Sequence, residues 1–259
     1  MVFVAFGLVS SGDARINFDS AMAIWLFDEG SGDEIKDFTG NGNDGELNDG
    51  VKWVNGKFGT ALMFDGQTGH VEINNPVNLI EPDFTITVWV NPGDTQAKAH
   101  CDILSNHGEP PRAGYCIEQH GNETNKFYTD FSDGDAWQTG WGIDGAPLTQ
   151  LEAGVWQHFA VVRKGTTLTH YLNGKETGFI AGITDAPVNA SPKNLMISNF
   201  GWRTIERQFN GILDELAIFN EALNPEDIQD IMRGGFSMIT TVSSKGKLLY
   251  TWANLKIQY

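Results

Sequence analysis

The sequence predicts an all-β sandwich of two packed antiparallel sheets with one short helix near its C-terminal end. Short segments rich in β-branched and aromatic residues recur along the chain, Gly, Asn and Asp clusters separate them, and helical periodicity occurs once. Composition agrees: 30 glycines supply turns, and 16 Phe with 8 Trp supply large side chains suited to half-buried sheet surfaces. At 259 residues, with 41% hydrophobic and 19% charged, the chain has material for one sizeable core. All-β sandwiches of ~200–250 residues commonly form a single domain.

Strands are expected at Ala21–Phe27, Ala61–Phe64, His70–Ile73, Phe84–Val90, Asp102–Ser105, Tyr115–Gln119, Phe127–Asp130, Trp156–Lys164, Thr167–Leu172, Asn194–Ile197 and Gly211–Phe219. In Phe84–Val90, Phe84, Ile86, Val88 and Val90 share one face while Thr85, Thr87 and Trp89 share the other, as a sandwich strand requires. Strict alternation in Gly211–Phe219 puts Asp214 on the face of Ile212, Leu216 and Ile218. A carboxylate there must be paired, hydrogen-bonded or metal-bound. Asn224 can cap a helix that has Pro225 at its first position, Ile228, Ile231 and Met232 at helical spacing, and Gly234-Gly235 at its end.

Turn chemistry marks three hairpins. Lys164-Gly165-Thr166-Thr167 joins two strands, Asn173-Gly174 is a dipeptide favoured in type I′ turns, and a Gly/Pro-rich turn separates Cys101 from Cys116. Strands leaving that last turn can face their Cβ atoms across the ladder at disulfide distance; two unlinked buried thiols are the alternative. A Cys101–Cys116 disulfide would fit export. The start, Met1 to Ala14, is apolar and then small, like the end of a secretory signal, or else a hydrophobic first strand. The expected organisation is therefore a signal-like or N-terminal extension over 1–20, the sandwich over 21–235, and a locally basic tail over 236–259 in which Lys247–Leu255 is a candidate strand.

The formal net charge of -16, from 17 Lys and Arg against 33 Asp and Glu, excludes nucleic acid and anionic membrane as partners, since both are bound through clustered cations. It suits cations, or simply solubility outside the cell. No stretch approaches the ~20 apolar residues of a transmembrane helix.

Seven segments, in order, resemble the laminin-G-like jelly-roll domains of the concanavalin A-like lectin/glucanase superfamily. They are Trp25-Leu26-Phe27-Asp28-Glu29-Gly30, Asp37-Phe38-Thr39-Gly40-Asn41-Gly42-Asn43-Asp44-Gly45, Gly59-Thr60-Ala61-Leu62-Met63-Phe64-Asp65-Gly66, Phe84–Val90, Trp156-Gln157-His158-Phe159, Tyr171-Leu172-Asn173-Gly174 and Gly211–Asn220. The resemblance implies a jelly roll and a structural Ca²⁺ held by Asp37, Asn41, Asn43 and Asp214, with Asp65 and Asp28 as additional members. The Asp37–Gly45 loop offers oxygen ligands at alternate positions, which hard cations need, although the same residues also read as Asx-turns shaping a Gly-rich loop.

Catalysis finds no pattern. The Glu-x-Asp-x-x-Glu strand of retaining glycosidases is missing, and Asp214 and Glu215 are adjacent, so on a regular strand they project to opposite sides. No His-Glu-x-x-His or Gly-x-Ser-x-Gly occurs, and His158 and His170 read as satisfied sheet histidines. The expected role is that of a non-enzymatic module, secreted or in the cell envelope, that binds glycan; adhesion to an extracellular protein is the first alternative, and a glycan-degrading enzyme of the same fold is the second. Its binding residues would be Tyr128, Asp133, Asp135, Trp137 and Trp141 in one Gly-rich segment and Trp202 with Arg203 in another loop, rings stacking on sugar faces while carboxylates take hydroxyls. Trp and Arg are equally at home in protein hot spots.

Overall fold

A computed structural model describes residues 16–109, 111–140, 143–201 and 207–238 of the chain. In chain order its strands are β1 (Ala21–Trp25), β2 (Glu34–Ile35), β3 (Gly45–Leu47), β4 (Val51–Asn55), β5 (Thr60–Asp65), β6 (Val71–Ile73), β7 (Phe84–Pro92), β8 (Asp102–Ser105), β9 (Tyr115–Gln119), β10 (Lys126–Phe131), β11 (Thr149–Gln150), β12 (Gln157–Lys164), β13 (Thr167–Leu172), β14 (Lys175–Ala181), β15 (Leu195–Ile197) and β16 (Asn210–Phe219), followed by helix α1 (Pro225–Met238). The strands pair antiparallel in two sheets. Sheet A has the order β14-β13-β12-β7-β16-β5-β4, with β1 also on β16; sheet B has the order β11-β10-β9-β8-β15-β6-β3-β2. This is the two-sheet jelly-roll sandwich with one short helix that the sequence predicts.

Every expected strand is present within two residues of its expected limits. Strands β2, β3, β4, β11 and β14 are additional. They are very short, or, like β4 and β14, half-exposed edge strands without a buried alternating face.

The inner faces of the sheets interdigitate into one core. Trp25, Phe64, Phe84, Ile86 and Val88 from sheet A meet Ile103, Tyr115, Ile117, Phe127 and Phe131 from sheet B. A second cluster covers the outer face of sheet A, where Ile24, Ala160, Val162, Ala217 and Phe219 receive Ile228, Ile231 and Phe236 of α1. Asn224 caps that helix as expected: its Oδ1 accepts from Asp227 N at 3.0 Å, and Asp227 Oδ2 accepts from Asn224 N at 3.4 Å. The expected stop at Gly234-Gly235 is a kink, with Gly235 at φ 62° and the segment continuing to Met238. The tail beyond 238, including Lys247–Leu255, and the signal-like Met1–Ala14 lie outside the described residues.

Two sequence expectations fail. The first is the Cys101–Cys116 disulfide: both residues are buried free thiols. Cys116 sits opposite Ser105, whereas Cys101 is level with Gln119, whose N–H donates to the Cys101 carbonyl at 2.9 Å. Cys101 packs in the inter-sheet core beside Tyr115 and Ile117, and Cys116, lying between those two on β9, faces the other way. The second is the regular alternation of β16. Asp214 pairs with Trp89 but Ala217 with Thr87, so β16 carries one extra residue, and Glu215 takes φ 50° in that bulge. Leu213, Leu216 and Ile218 therefore share the inner core while Asp214, opposite Trp89, is displaced from their face.

Asp214 is fully buried, and its Oδ2 accepts from Phe58 N at 2.9 Å while Oδ1 has no hydrogen-bond partner. Burial raises its carboxyl to about 8, the Phe58 N–H opposing and the charges of Glu215 and Asp28 adding. Lys57 Nζ lies over the neighbouring Trp89 ring, 4.4 Å from its centre. Because the folded pKa exceeds the unfolded carboxylate value of about 4, the folded state keeps the proton as pH rises and stability falls from about pH 4 to about pH 8. Thermal melts across that range are expected to show Asp214→Asn losing less stability than wild type and melting several degrees higher at the alkaline end. Parallel pH profiles would contradict this assignment.

Candidate functional site

Three groups of polar residues are possible sites, and the fold treats them differently. The first is the loop between β2 and β3. The Asp37 carboxylate there accepts five hydrogen bonds: Oδ1 from Ile24 N, Thr39 N and Thr39 Oγ1, and Oδ2 from the backbone and side-chain nitrogens of Asn43. Asn41 Nδ2 donates to the Ala21 and Met22 carbonyls, Asn43 Nδ2 also reaches Met22 O, and Asn43 Oδ1 accepts from Asn75. Trp25 Nε1 donates to Asn43 O at 2.7 Å, tying the loop to the core.

The loop therefore brings Asp37, Asn41 and Asn43 together, as the sequence predicts, and engages both Asp37 oxygens, both amide nitrogens and Asn43 Oδ1 from within the protein. Asp65 lies elsewhere, its Oδ1 accepting from Gln67, Thr68 and Gly69 nitrogens in a tight turn. Asp214 sits under Phe58. Asp28 Oδ1 accepts from Thr60 N. The six expected calcium ligands do not share one centre, because the Asx-turn chemistry and the β16 bulge claim them separately.

The second group occupies the outer face of sheet B, which α1 does not cover. Cys116 and Glu118 alternate with the core residues of β9, so their side chains face outward. Across the ladder Glu118 is level with Tyr128 on β10 and Asp102 on β8, and Cys116 with Asp130 and Ser105. Glu118 holds His100 Nδ1 at 2.6 Å and Arg207 Nη1 at 2.8 Å. Asp102 is completely buried, and neither carboxylate oxygen has a hydrogen-bond partner. Burial, and next the Glu118 charge, pushes its carboxyl well above the ordinary range, with Arg207 opposing. Burial likewise pushes up the Cys116 thiol and the Asp130 carboxyl.

The third group is the rim beside that face. Arg207 Cζ lies 4.0 Å from the centre of the Phe200 ring, Phe200 stacks edge-on to His107 at 4.6 Å, and His107 to Trp137 at 4.0 Å. Trp137 is half-buried and its indole N–H donates to Glu109 at 3.1 Å. Burial lowers His107 to about 4, so this ring is neutral at neutral pH.

Of the expected binding residues, Trp137 and the exposed Asp135 stand on this rim. The Asp133 carboxylate is spent on the turn, accepting from Asp135 N, Ala136 N and Gln138 Nε2. Tyr128 is buried within the second group, 3% exposed, and presents no open ring. Trp141, Trp202 and Arg203 lie outside the described residues.

The sequence reading missed Asp102, Cys116, Glu118, His107, Phe200 and Arg207. The alternation in Tyr115-Cys116-Ile117-Glu118, matched on β10 by Tyr128 and Asp130, carries a signal for an outward acidic row. The partners from β8 and from the loop around Arg207 are distant in sequence.

His170 is enclosed between Thr149 Oγ1 and Thr129 Oγ1, and His158 stacks on Trp89. Burial lowers both to about 3, so both stay neutral. Among the described residues no helix is long and apolar enough to cross a membrane.

Comparison with solved structures gives the same fold. Domain 4 of AbnA, an extracellular arabinanase from Geobacillus stearothermophilus solved in complex with arabinotriose, is similar with a TM-score of 0.62 and 20% identity, covering 83% of this chain and 98% of that one. The binding domain of Paraclostridial Mosquitocidal Protein 1 is similar at TM-score 0.62 and 17% identity, over 84% of this chain and 52% of that one. A Trypanosoma rangeli sialidase is similar at TM-score 0.56 and 14% identity, over 83% of this chain and 33% of that one. The chain thus spans about half of the toxin domain and a third of the sialidase. No curated protein matches the sequence. The sequence of residues 65–229 matches the Laminin_G_3 family, and the chain belongs to this family of the concanavalin A-like lectin/glucanases superfamily.

Proposed function

We propose that this chain is a carbohydrate-recognition module acting outside the cell or in the cell envelope, and that it does not transform its ligand. The observation that carries the reading is the half-buried Trp137 ring on the rim of sheet B, packed on His107, with the buried Phe200 and then Arg207 behind it. A sugar offers an apolar face to the Trp137 ring and hydroxyls to flanking polar groups, here exposed Asp135 and Arg112 and the partly exposed His100 and Arg207. The arabinotriose complex of the AbnA domain supports the reading by analogy of fold.

Against catalysis stands the burial of the paired acids Asp102 and Glu118. A general acid must reach the reacting oxygen to within hydrogen-bond distance. Asp102 has no exposed surface and Glu118 is 4% exposed, held by His100 and Arg207. Incubation with arabinotriose is expected to leave the sugar intact, and release of shorter sugars would overturn the non-catalytic part of the reading.

Retention on a broad glycan array, with arabinotriose calorimetry as one arm, tests recognition. Trp137→Ala is expected to lose at least tenfold in retention while its melting temperature stays within a few degrees of wild type. Equal retention by the variant would remove the rim from the site. A wild type that retains no glycan would favour adhesion to a protein.

Calcium has no assembled ligand set in this reading, because the Asp37 loop is braced by its own hydrogen bonds. Melting curves of metal-free protein with and without added calcium are expected to coincide. A calcium-dependent rise, which mass action makes about 2.7 kcal/mol at a hundred times the dissociation constant, would return the loop to the status of an ion site.

A further inference from the structure

We propose that Asp102, Cys116 and Glu118 on the outer face of sheet B form a binding site for zinc. Each residue offers one ligand atom, and the three atoms lie within 4.8 Å of one another; among the described residues no other group of three His, Cys, Asp or Glu side chains does so. An independent observation points to a missing ligand. Asp102 is fully buried, and neither of its carboxylate oxygens has a hydrogen-bond partner. Leaving such a group unsatisfied costs about 1–3 kcal/mol or more, so it needs a proton, a donor or an ion.

The donor set selects the ion. One thiolate with two carboxylates is too soft for Ca²⁺ or Mg²⁺, which take oxygen ligands, and it matches the sulfur and oxygen ligands that Zn²⁺ accepts. Zinc at about 2.3 Å from sulfur and 2.0–2.2 Å from oxygen holds tetrahedral ligands roughly 3.3–3.8 Å apart; Cys116 Sγ already lies 3.9 Å from Glu118 Oε2, and no pair among the three ligand atoms exceeds 4.8 Å. Three protein ligands leave the fourth position for water.

Charge favours the same ion. With all three ligands anionic, the divalent cation and the Arg207 guanidinium, 2.8 Å from Glu118, balance the site. Arg207 and His100 then serve as partners that orient the ligating carboxylate. Their side chains are 29% and 35% exposed, so they separate the buried Glu118 carboxylate from solvent. The second thiol is an internal control, because Cys101 packs in the inter-sheet core on the opposite face.

The test is titration of reduced, metal-free full-length protein with Co²⁺, followed by Zn²⁺ competition. The expected result is one-to-one binding with a thiolate-to-cobalt charge-transfer band and the visible bands of a tetrahedral ion, both abolished by Zn²⁺. Cys116→Ser should remove the charge-transfer band, Asp102→Asn should weaken binding at least tenfold, and Cys101→Ser should change neither, all three keeping the wild-type circular dichroism. Absence of one-to-one binding by folded wild type would overturn the proposal. So would binding unchanged in both Cys116→Ser and Asp102→Asn, which would mark an ion elsewhere on the acidic surface, or a band lost in Cys101→Ser instead. None of these readouts involves sugar, so the site stands or falls separately from glycan recognition.

Discussion

The rest of the fold depends on the single extra residue in β16. This strand is hydrogen-bonded to β7, β5 and β1, so it is the hub of sheet A. A strand without a bulge would keep one alternation from Asn210 to Phe219, and could not give both Leu213 and Leu216 to the inter-sheet core. With the bulge, Leu213, Leu216 and Ile218 enter that core while Ala217 and Phe219 turn outward to receive α1. Glu215, at the bulge, closes the arrangement: its Oε2 accepts from Phe236 N at 2.7 Å just past the kink at Gly235. A left-handed backbone at a non-glycine residue costs of order 1–3 kcal/mol, and here it is offset by a buried hydrogen bond and two apolar clusters that need it.

Covering one outer face and leaving the other without a helix makes the two sides of the sandwich chemically different. Sheet A packs part of its outer surface against apolar side chains of α1. Among the described residues no helix covers sheet B, whose outer positions carry carboxylates, a thiol and a phenol along three neighbouring strands. Such a row is electrostatically expensive when buried. Arg207 is the cation that most directly relieves it, fixed twice over: its carbonyl accepts from Asp102 N at 2.8 Å, and its guanidinium spans Glu118 and the Phe200 ring. Burial would lower the guanidinium's pKa, but Asp102 and Glu118 outweigh burial and raise it. The acidic face and the aromatic rim are therefore joined through one side chain.

What the sequence made legible follows from how local the information is. The strand Phe84–Pro92 announces both of its faces by composition, and α1 announces its start through Asn224, Pro225 and Asp227, so these were readable. The bulge was not, because nothing in Leu213-Asp214-Glu215-Leu216 distinguishes a bulged strand from a regular one; the burial of Leu213 and Leu216 on the same side decides it. Register failed at the cysteines because Cys101 is level with Gln119, three residues beyond Cys116, an offset that the Gly/Pro-rich turn does not announce. At the site, Trp137 and Asp135 were legible as a polar-aromatic loop. Asp133 has the same composition but makes the turn, and Asp102 meets Glu118 only through strand pairing across the Gly/Pro-rich connection.

The Asp37 loop shows why a calcium-like sequence need not imply calcium. A buried carboxylate requires several positive partial charges close to its oxygens, and either a cation or convergent N–H and O–H dipoles can supply them. Thr39, Asn43 and the Ile24 backbone supply five such dipoles. Asn41 and Asn43 then use their amide nitrogens on the Ala21 and Met22 carbonyls, orienting the loop against β1. Once both Asp37 oxygens are engaged, a cation would have to displace hydrogen bonds that also hold Trp25 and the start of sheet A. Asp102 is the opposite case: its burial is complete, and no dipole meets its oxygens. Asp37 and Asp102 thus pose the same electrostatic problem: protein dipoles meet it at Asp37, and at Asp102 they are missing, which is the observation behind the proposed zinc site.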